Sequence, residues 1–169
     1  MTVRGWGAGV KLLLAKPGIE VNAADTNGRT PLHVAAKGSH EAVIQLLLAA
    51  PGIDVNASDT DGRTPLHVAA AEDHEVILKL LLAAPGIDVN APDTNEWTAL
   101  TWAAFKGNEA IVKDLCAVPE IIVDVAGVKR RLEHPPEGEL WDNPASKDEQ
   151  DKCIRVLEEL SKRGRAQDG

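Results

Sequence analysis

The chain is poor in aromatic residues: they make up 3% of its 169 residues, as four Trp, one Phe and no Tyr. Any core must therefore be filled mostly by aliphatic side chains. It holds two cysteines, Cys116 and Cys153, too few for a disulfide framework, so reduced thiols and a cytosolic setting are expected, with the nucleus open. It has no apolar run long enough to span a bilayer, and no membrane span is expected. The first residues show neither a proper apolar signal region nor a small-residue cleavage site, so no secretory leader is expected. Positive charge is also short, at 18 Lys and Arg against 26 Asp and Glu, a net −8. That balance argues against a general nucleic-acid binder, which needs a basic face to neutralise phosphates. The length suits one ordinary domain or one extended repeat array.

What the sequence does have is internal repetition. Leu46 to Ala57 recurs unchanged at Leu80 to Ala91, and a near copy runs from Leu12 to Ala23. Gly28 to Ala36 recurs at Gly62 to Ala70, and a degraded version runs from Glu96 to Ala104. Thr30, Thr64 and Thr98 are spaced 34 apart, as are Asn22, Asn56 and Asn90. Self-similarity at such a period is the signature of a stacked repeat architecture.

One unit can be read residue by residue. Asp25-Thr-Asn-Gly28 signals a turn, with Asp bonding the backbone and Gly accepting positive φ. Thr30-Pro31 starts a helix, Thr as N-cap and Pro at the first helical position. Leu32, Ala35 and Ala36 give that helix a small-residue face. After Ser39-His40, the residues Val43, Ile44, Leu46, Leu47 and Leu48 form a second helix with a broad apolar face. Pro51-Gly52 ends it, and Ile53 to Ala57 leads in extended form to the next Asp. A lone unit cannot bury its own leucines and must stack on its neighbours.

These residues resemble the ankyrin repeat, whose motif Thr-Pro-Leu-His-x-Ala is matched by Thr30 to Ala35 and by Thr64 to Ala69. The resemblance covers residues 7 to about 126. It implies an all-α solenoid of stacked helix-turn-helix units with β-hairpin loops. The expected organisation is an array over 1–126 (a half repeat at 1–24, then repeats at 25–58, 59–92 and 93–126). An irregular insertion is expected over 127–145, and a capping helix over about 147–163, where Ser146-Lys-Asp-Glu149 forms a capping box. The N-terminal half repeat has no first helix, and its leucine face would be exposed. A monomer is expected, with that face as the route to self-association.

Little in the chain points to catalysis, and no enzyme, cofactor or metal site is expected. Nothing matches a phosphate-binding Gly loop, a nucleophile elbow or a paired-carboxylate site. The resemblance implies that His33 and His67 hydrogen-bond backbone and tie one unit to the next. Cys116 and Cys153 lie on apolar helix faces and are expected to be buried small hydrophobes. The triplet Lys129-Arg130-Arg131 is expected to be a solvated loop, with phosphate or an acidic partner as the functional alternative. Asn22, Asn56 and Asn90 sit in Val-Asn-Ala contexts similar to the consensus for asparaginyl hydroxylation in animal ankyrin repeats. The other reading is that each Asn shapes the hairpin.

The family mostly binds other proteins through its hairpin tips and first-helix face. By position, this implies three sets of candidate residues: Thr26, Asn27, Arg29, Lys37 and Gly38; Thr60, Asp61, Arg63, Ala71 and Glu72; Thr94, Asn95, Trp97, Phe105 and Lys106. Trp102 aligns with Val34 and Val68 and is expected to be half-buried. The third unit departs from the pattern, with Glu96 for Gly, Trp97 for Arg, Ala99 for Pro and Thr101 for His. Two readings follow. Trp97, Phe105 and Trp102 form an exposed apolar hot spot with Arg29, Arg63 and Lys106 supplying selectivity, or the C-terminal segment, through Trp141, folds over the rings. The expected function is a non-catalytic protein-interaction module using the concave face. The alternative is a regulatory or scaffolding piece of a larger protein whose activity lies elsewhere. No nucleic-acid partner is expected.

Overall fold

The structure, a computed structural model, describes residues 4–135 and 144–167, with side chains from 7 to 135 and from 144 to 162. Trp141 lies outside the described residues. Among them there are nine helices and no strand: α1 (Arg4–Leu14), α2 (Pro31–Lys37), α3 (Glu41–Leu48), α4 (Pro65–Ala71), α5 (Glu75–Leu82), α6 (Ala99–Phe105), α7 (Glu109–Cys116), α8 (Val125–Glu133) and α9 (Lys147–Gln167).

The helices form two layers. α2, α4, α6 and α8 pack in sequence as one layer, and α1, α3, α5, α7 and α9 as the other. Each first helix also packs on the second helix of its own unit. The spacing of the apolar residues dictates this. Leu32, Leu66 and Leu100 point between the layers and are fully buried, as are Ile44, Ile77 and Ile111. Alanines at 35, 36, 69, 70, 103 and 104 are buried too, and their small side chains let neighbouring first helices approach closely. The core is therefore thin and continuous along the stack, as a repeat array requires.

Polar side chains fix the register between units. The His33 Nε2–H donates to the Arg63 carbonyl at 2.8 Å, and the His67 Nε2–H to the Trp97 carbonyl at 3.0 Å. Each Nδ1 accepts from a backbone N–H, that of Thr30 at 3.2 Å and that of Thr64 at 3.1 Å. Nε2 faces a carbonyl and Nδ1 an N–H, so both rings are the neutral Nε2–H tautomer. Asn22, Asn56 and Asn90 form a second ladder. Their amides donate to the carbonyls of Gly52, Gly86 and Glu120 and accept from the N–H groups of Asp54, Asp88 and Ile122. A third ladder joins the tips, where the Thr60 N–H donates to the Asn27 carbonyl and the Thr94 N–H to the Asp61 carbonyl, both at 3.0 Å.

The C-terminal region differs from the sequence expectation. Residues 125–133 are helical, not irregular. Asp124 is the N-cap and accepts from the Gly127 N–H at 2.9 Å. Val128 is buried, and Leu132 packs against the core. The pair α8 and α9 thus forms a fourth unit, but one without a tip: Ala99 begins α6 nine residues after Asn90, whereas Val125 directly follows Asp124 at the corresponding register. The basic triplet lies on this helix and not in a loop.

Candidate functional site

The first helices form one layer, and each of α2, α4 and α6 follows a tip, so these helices and tips share one face. One depression on it lies between α2 and α4, a cleft of about 350 Å³ walled by Arg29, Lys37, Arg63 and Glu72 and floored by Val34 and Val68. Val34 is 53% exposed, unusual for an aliphatic residue on a helix whose other apolar side chains are buried. The tips hold the arginines in place. Asp25 accepts both Nε and Nη2 of Arg29, at 3.0 and 2.9 Å, and Asp59 holds Arg63 in the same way. The Arg29 backbone N–H and guanidinium together hold the Asp25 carboxyl below its ordinary range. Asp61 adds a second ion pair to Arg63. Two guanidinium nitrogens on one carboxylate oxygen, Oδ2, with Oδ1 held by backbone N–H groups, fix the position of each arginine, so the cleft presents fixed donors beside an apolar floor.

The structure brings Arg29, Lys37, Arg63 and Glu72 together in this cleft. Asn95 lines a separate depression of about 440 Å³ with Glu96, Trp97, Arg130, Arg131 and His134. Lys106 lies further along with Glu72, Asp73, Asn108 and Glu149, its ammonium 5.6 Å from the Phe105 ring centroid. The apolar floor, Val34 and Val68, is absent from the sequence-derived sets. The signal that could have found it is a valine on the otherwise polar side of a short helix.

The three aromatic residues are not exposed anchors. Trp97 is 2% exposed, and Trp102 and Phe105 are each 1% exposed. Their rings pack on one another, with Trp97–Trp102 and Trp97–Phe105 centroids both 5.3 Å apart and Trp102–Phe105 centroids 6.2 Å apart. The tilted and edge-on geometries are those favoured by the ring quadrupole. Among the described residues, the fourth unit contributes to this burial. α8 packs on α6, and the Phe105 carbonyl accepts from the Ala145 N–H and the Gln150 side chain, both at 3.1 Å. The C-terminal segment thus closes over the rings.

The same region shows how Trp replaces Arg. Asp93 is the third member of the Asp25 and Asp59 series and is 6% exposed. With Trp97 in the arginine position it has no guanidinium. Instead the Trp102 indole N–H donates to its Oδ2 at 2.9 Å, and the Asn95 and Trp97 N–H groups bond Oδ1. Trp102 therefore fills the core and satisfies the carboxylate, which sequence position alone did not disclose.

Elsewhere the titratable groups have structural environments. Burial pushes His33 and His67 below the ordinary value of 6.5. Burial raises the Cys116 and Cys153 thiols to about 11, which keeps them protonated and poorly nucleophilic; Cys153 is buried and Cys116 half-buried. Among the described residues, no group of three or more His, Cys, Asp and Glu converges as a metal site, and no helix is long and apolar enough to cross a membrane.

No curated protein matches the chain. The family described as ankyrin repeats (three copies) matches it over residues 4–93 and 52–125. Tips, paired helices and inter-unit histidine bonds agree with that match: the chain belongs to the ankyrin-repeat family.

Proposed function

We propose that the chain is a non-catalytic module that binds a protein partner through the cleft between α2 and α4. Ankyrin repeats are in general protein-interaction modules. The observation that supports this surface is the exposed Val34, set beside Arg29, Lys37 and Arg63 on a rigid scaffold. An apolar floor with oriented charged donors at its rim is the usual anatomy of an interface. Arginine, which is over-represented among hot-spot residues, stands at two of the rim positions. The partner is expected to insert an aliphatic side chain over Val34 and Val68 and to place polar groups against the arginines. The chain is expected to act as a monomer. Leu12, 71% exposed on α1, is where self-association would start.

The test is affinity capture from the source cell followed by quantitative mass spectrometry. The bait is the wild type, the double variant V34E/K37E, or V76E, which places a glutamate on the exposed Val76 of α5 in the opposite layer. Proteins retained by the wild type and by V76E but lost from V34E/K37E support the reading. Equal retention by all three contradicts it.

A further inference from the structure

The cleft at the third tip points to a second surface, separate from the Val34 cleft. In the first two units each tip supports the next: the Asn27 carbonyl accepts from Thr60 and the Asp61 carbonyl from Thr94. Asn95 is the third member of that series. Because the fourth unit has no tip, no described residue donates to the Asn95 carbonyl. An unpaired backbone carbonyl on an exposed tip is an acceptor open to one backbone N–H of another chain.

Glycine geometry gives an independent sign that no described residue packs on this ledge as the next tip packs on Gly28 and Gly62. Gly28 and Gly62 have φ of +73° and +75°, and a Cβ there would lie 2.8 Å from the backbone nitrogen of the next tip. Position 96 keeps the same left-handed φ, +61°, yet carries Glu. A side chain fits only because no fourth tip packs there. Glu96 reaches across the space to Arg131, 3.3 Å away.

Charge selects the occupant. Arg130, Arg131 and His134 line the depression beside Asn95, and its one carboxylate, Glu96, is already engaged by Arg131. Arg130 is exposed and has no ion-pair partner among the described residues. A short segment bearing carboxylates answers these donors with charge-assisted bonds. A nucleic-acid strand fits less well, because the depression offers only two arginines, one of them already paired with Glu96, too few to neutralise a run of phosphates.

We propose that the ledge formed by Asn95, Arg130, Arg131 and His134 docks an extended acidic segment of a partner protein. The segment takes the place of the absent fourth tip. One of its backbone N–H groups donates to the Asn95 carbonyl, and a carboxylate one or two residues away faces Arg130 and His134.

The experiment is a titration of the full chain, 15N-labelled, with a short blocked peptide rich in Asp and Glu, followed by amide NMR. Amide shifts confined to residues 94–97 and 128–134 are expected. R130E should weaken binding by about tenfold, the loss of one charge-assisted contact. The variant is expected to fold, since Arg130 is exposed on α8, and its circular dichroism checks this. An N-methylated copy of the peptide, which lacks the backbone donors, should also bind more weakly. Shifts mapping elsewhere, unchanged affinity in R130E or with N-methylation, equal binding by a Lys-rich peptide, or tighter binding by a single-stranded oligonucleotide would each overturn the proposal. Its outcome is independent of the Val34 cleft, because V34E/K37E leaves this ledge intact.

Discussion

Replacing Trp102 by Phe removes a hydrogen-bond donor while keeping an aromatic ring in place. The indole N–H is the side-chain donor to Asp93 Oδ2, at 2.9 Å, and Asp93 is 6% exposed. Water cannot easily take over, so a charged acceptor is left short of one partner. Such a loss costs about 1–3 kcal/mol, more when the group is charged. The smaller ring leaves a void and adds roughly 1 kcal/mol. The sum is about 2–4 kcal/mol, a large share of the ~5–15 kcal/mol that holds a domain together. With a urea slope near ~2 kcal/mol/M, the unfolding midpoint should fall by about 1–2 M. Urea unfolding followed by circular dichroism measures this. A double-mutant cycle with D93N separates the bond from the packing, because D93N should cost at least ~1 kcal/mol less in the W102F background than in the wild type. A W102F loss below ~0.5 kcal/mol, or strict additivity with D93N, would refute the reasoning.

Trp97→Ala empties a site that is 2% exposed and should cost about 3–5 kcal/mol; unchanged thermal stability would return Trp97 to the surface as a binding anchor. Glycine and glutamate should exchange with opposite sign: G62E forces a Cβ to within 2.8 Å of the Thr94 nitrogen and should destabilise by more than ~1 kcal/mol, whereas E96G relieves a left-handed φ and should be neutral or stabilising by up to ~1 kcal/mol, as urea midpoints would report. Acid should weaken the array. Burial holds His33 and His67 below 6.5 in the folded state, so the unfolded chain takes up protons first, and the stability they give is full above about pH 7 and falls as the pH drops through ~6.5. Urea midpoints at pH 7.5 and 5.5 measure the loss, which should shrink in a His67→Gln variant; a midpoint independent of pH would contradict the buried neutral tautomer.

Much of the fold could be read locally. Thr30-Pro31, Thr64-Pro65, the repeated leucines and the Asn ladder each act within one unit or on the next, so a period in the sequence carries them. The fourth unit was harder. α8 lacks Thr-Pro, carries Lys129-Arg130-Arg131, and follows a shortened connection, so the phase of the repeats is lost before it. Its signals were the Asp124 cap and the spacing of Val125, Val128 and Leu132. Trp97 was harder still. Its counterparts Arg29 and Arg63 are half-buried, and its fuller burial comes with α8 and α9 packing on α6 at the end of the stack. That is a long-range consequence which position in a repeat does not encode. The Asp93–Trp102 bond spans nine residues and two aligned positions, and no single-position comparison shows it. The cleft was legible in its charged rim and not in its valine floor.

The central claim is that binding falls on the first-helix face between α2 and α4, while the aromatic residues serve as core. Hydrogen exchange of the chain, free and saturated with its captured partner, tests it most directly. The account predicts added protection in residues 29–38 and 63–72, with the opposite layer, α3, α5 and α7, unchanged. Protection confined to that opposite layer, with residues 29–38 unaffected, would contradict it.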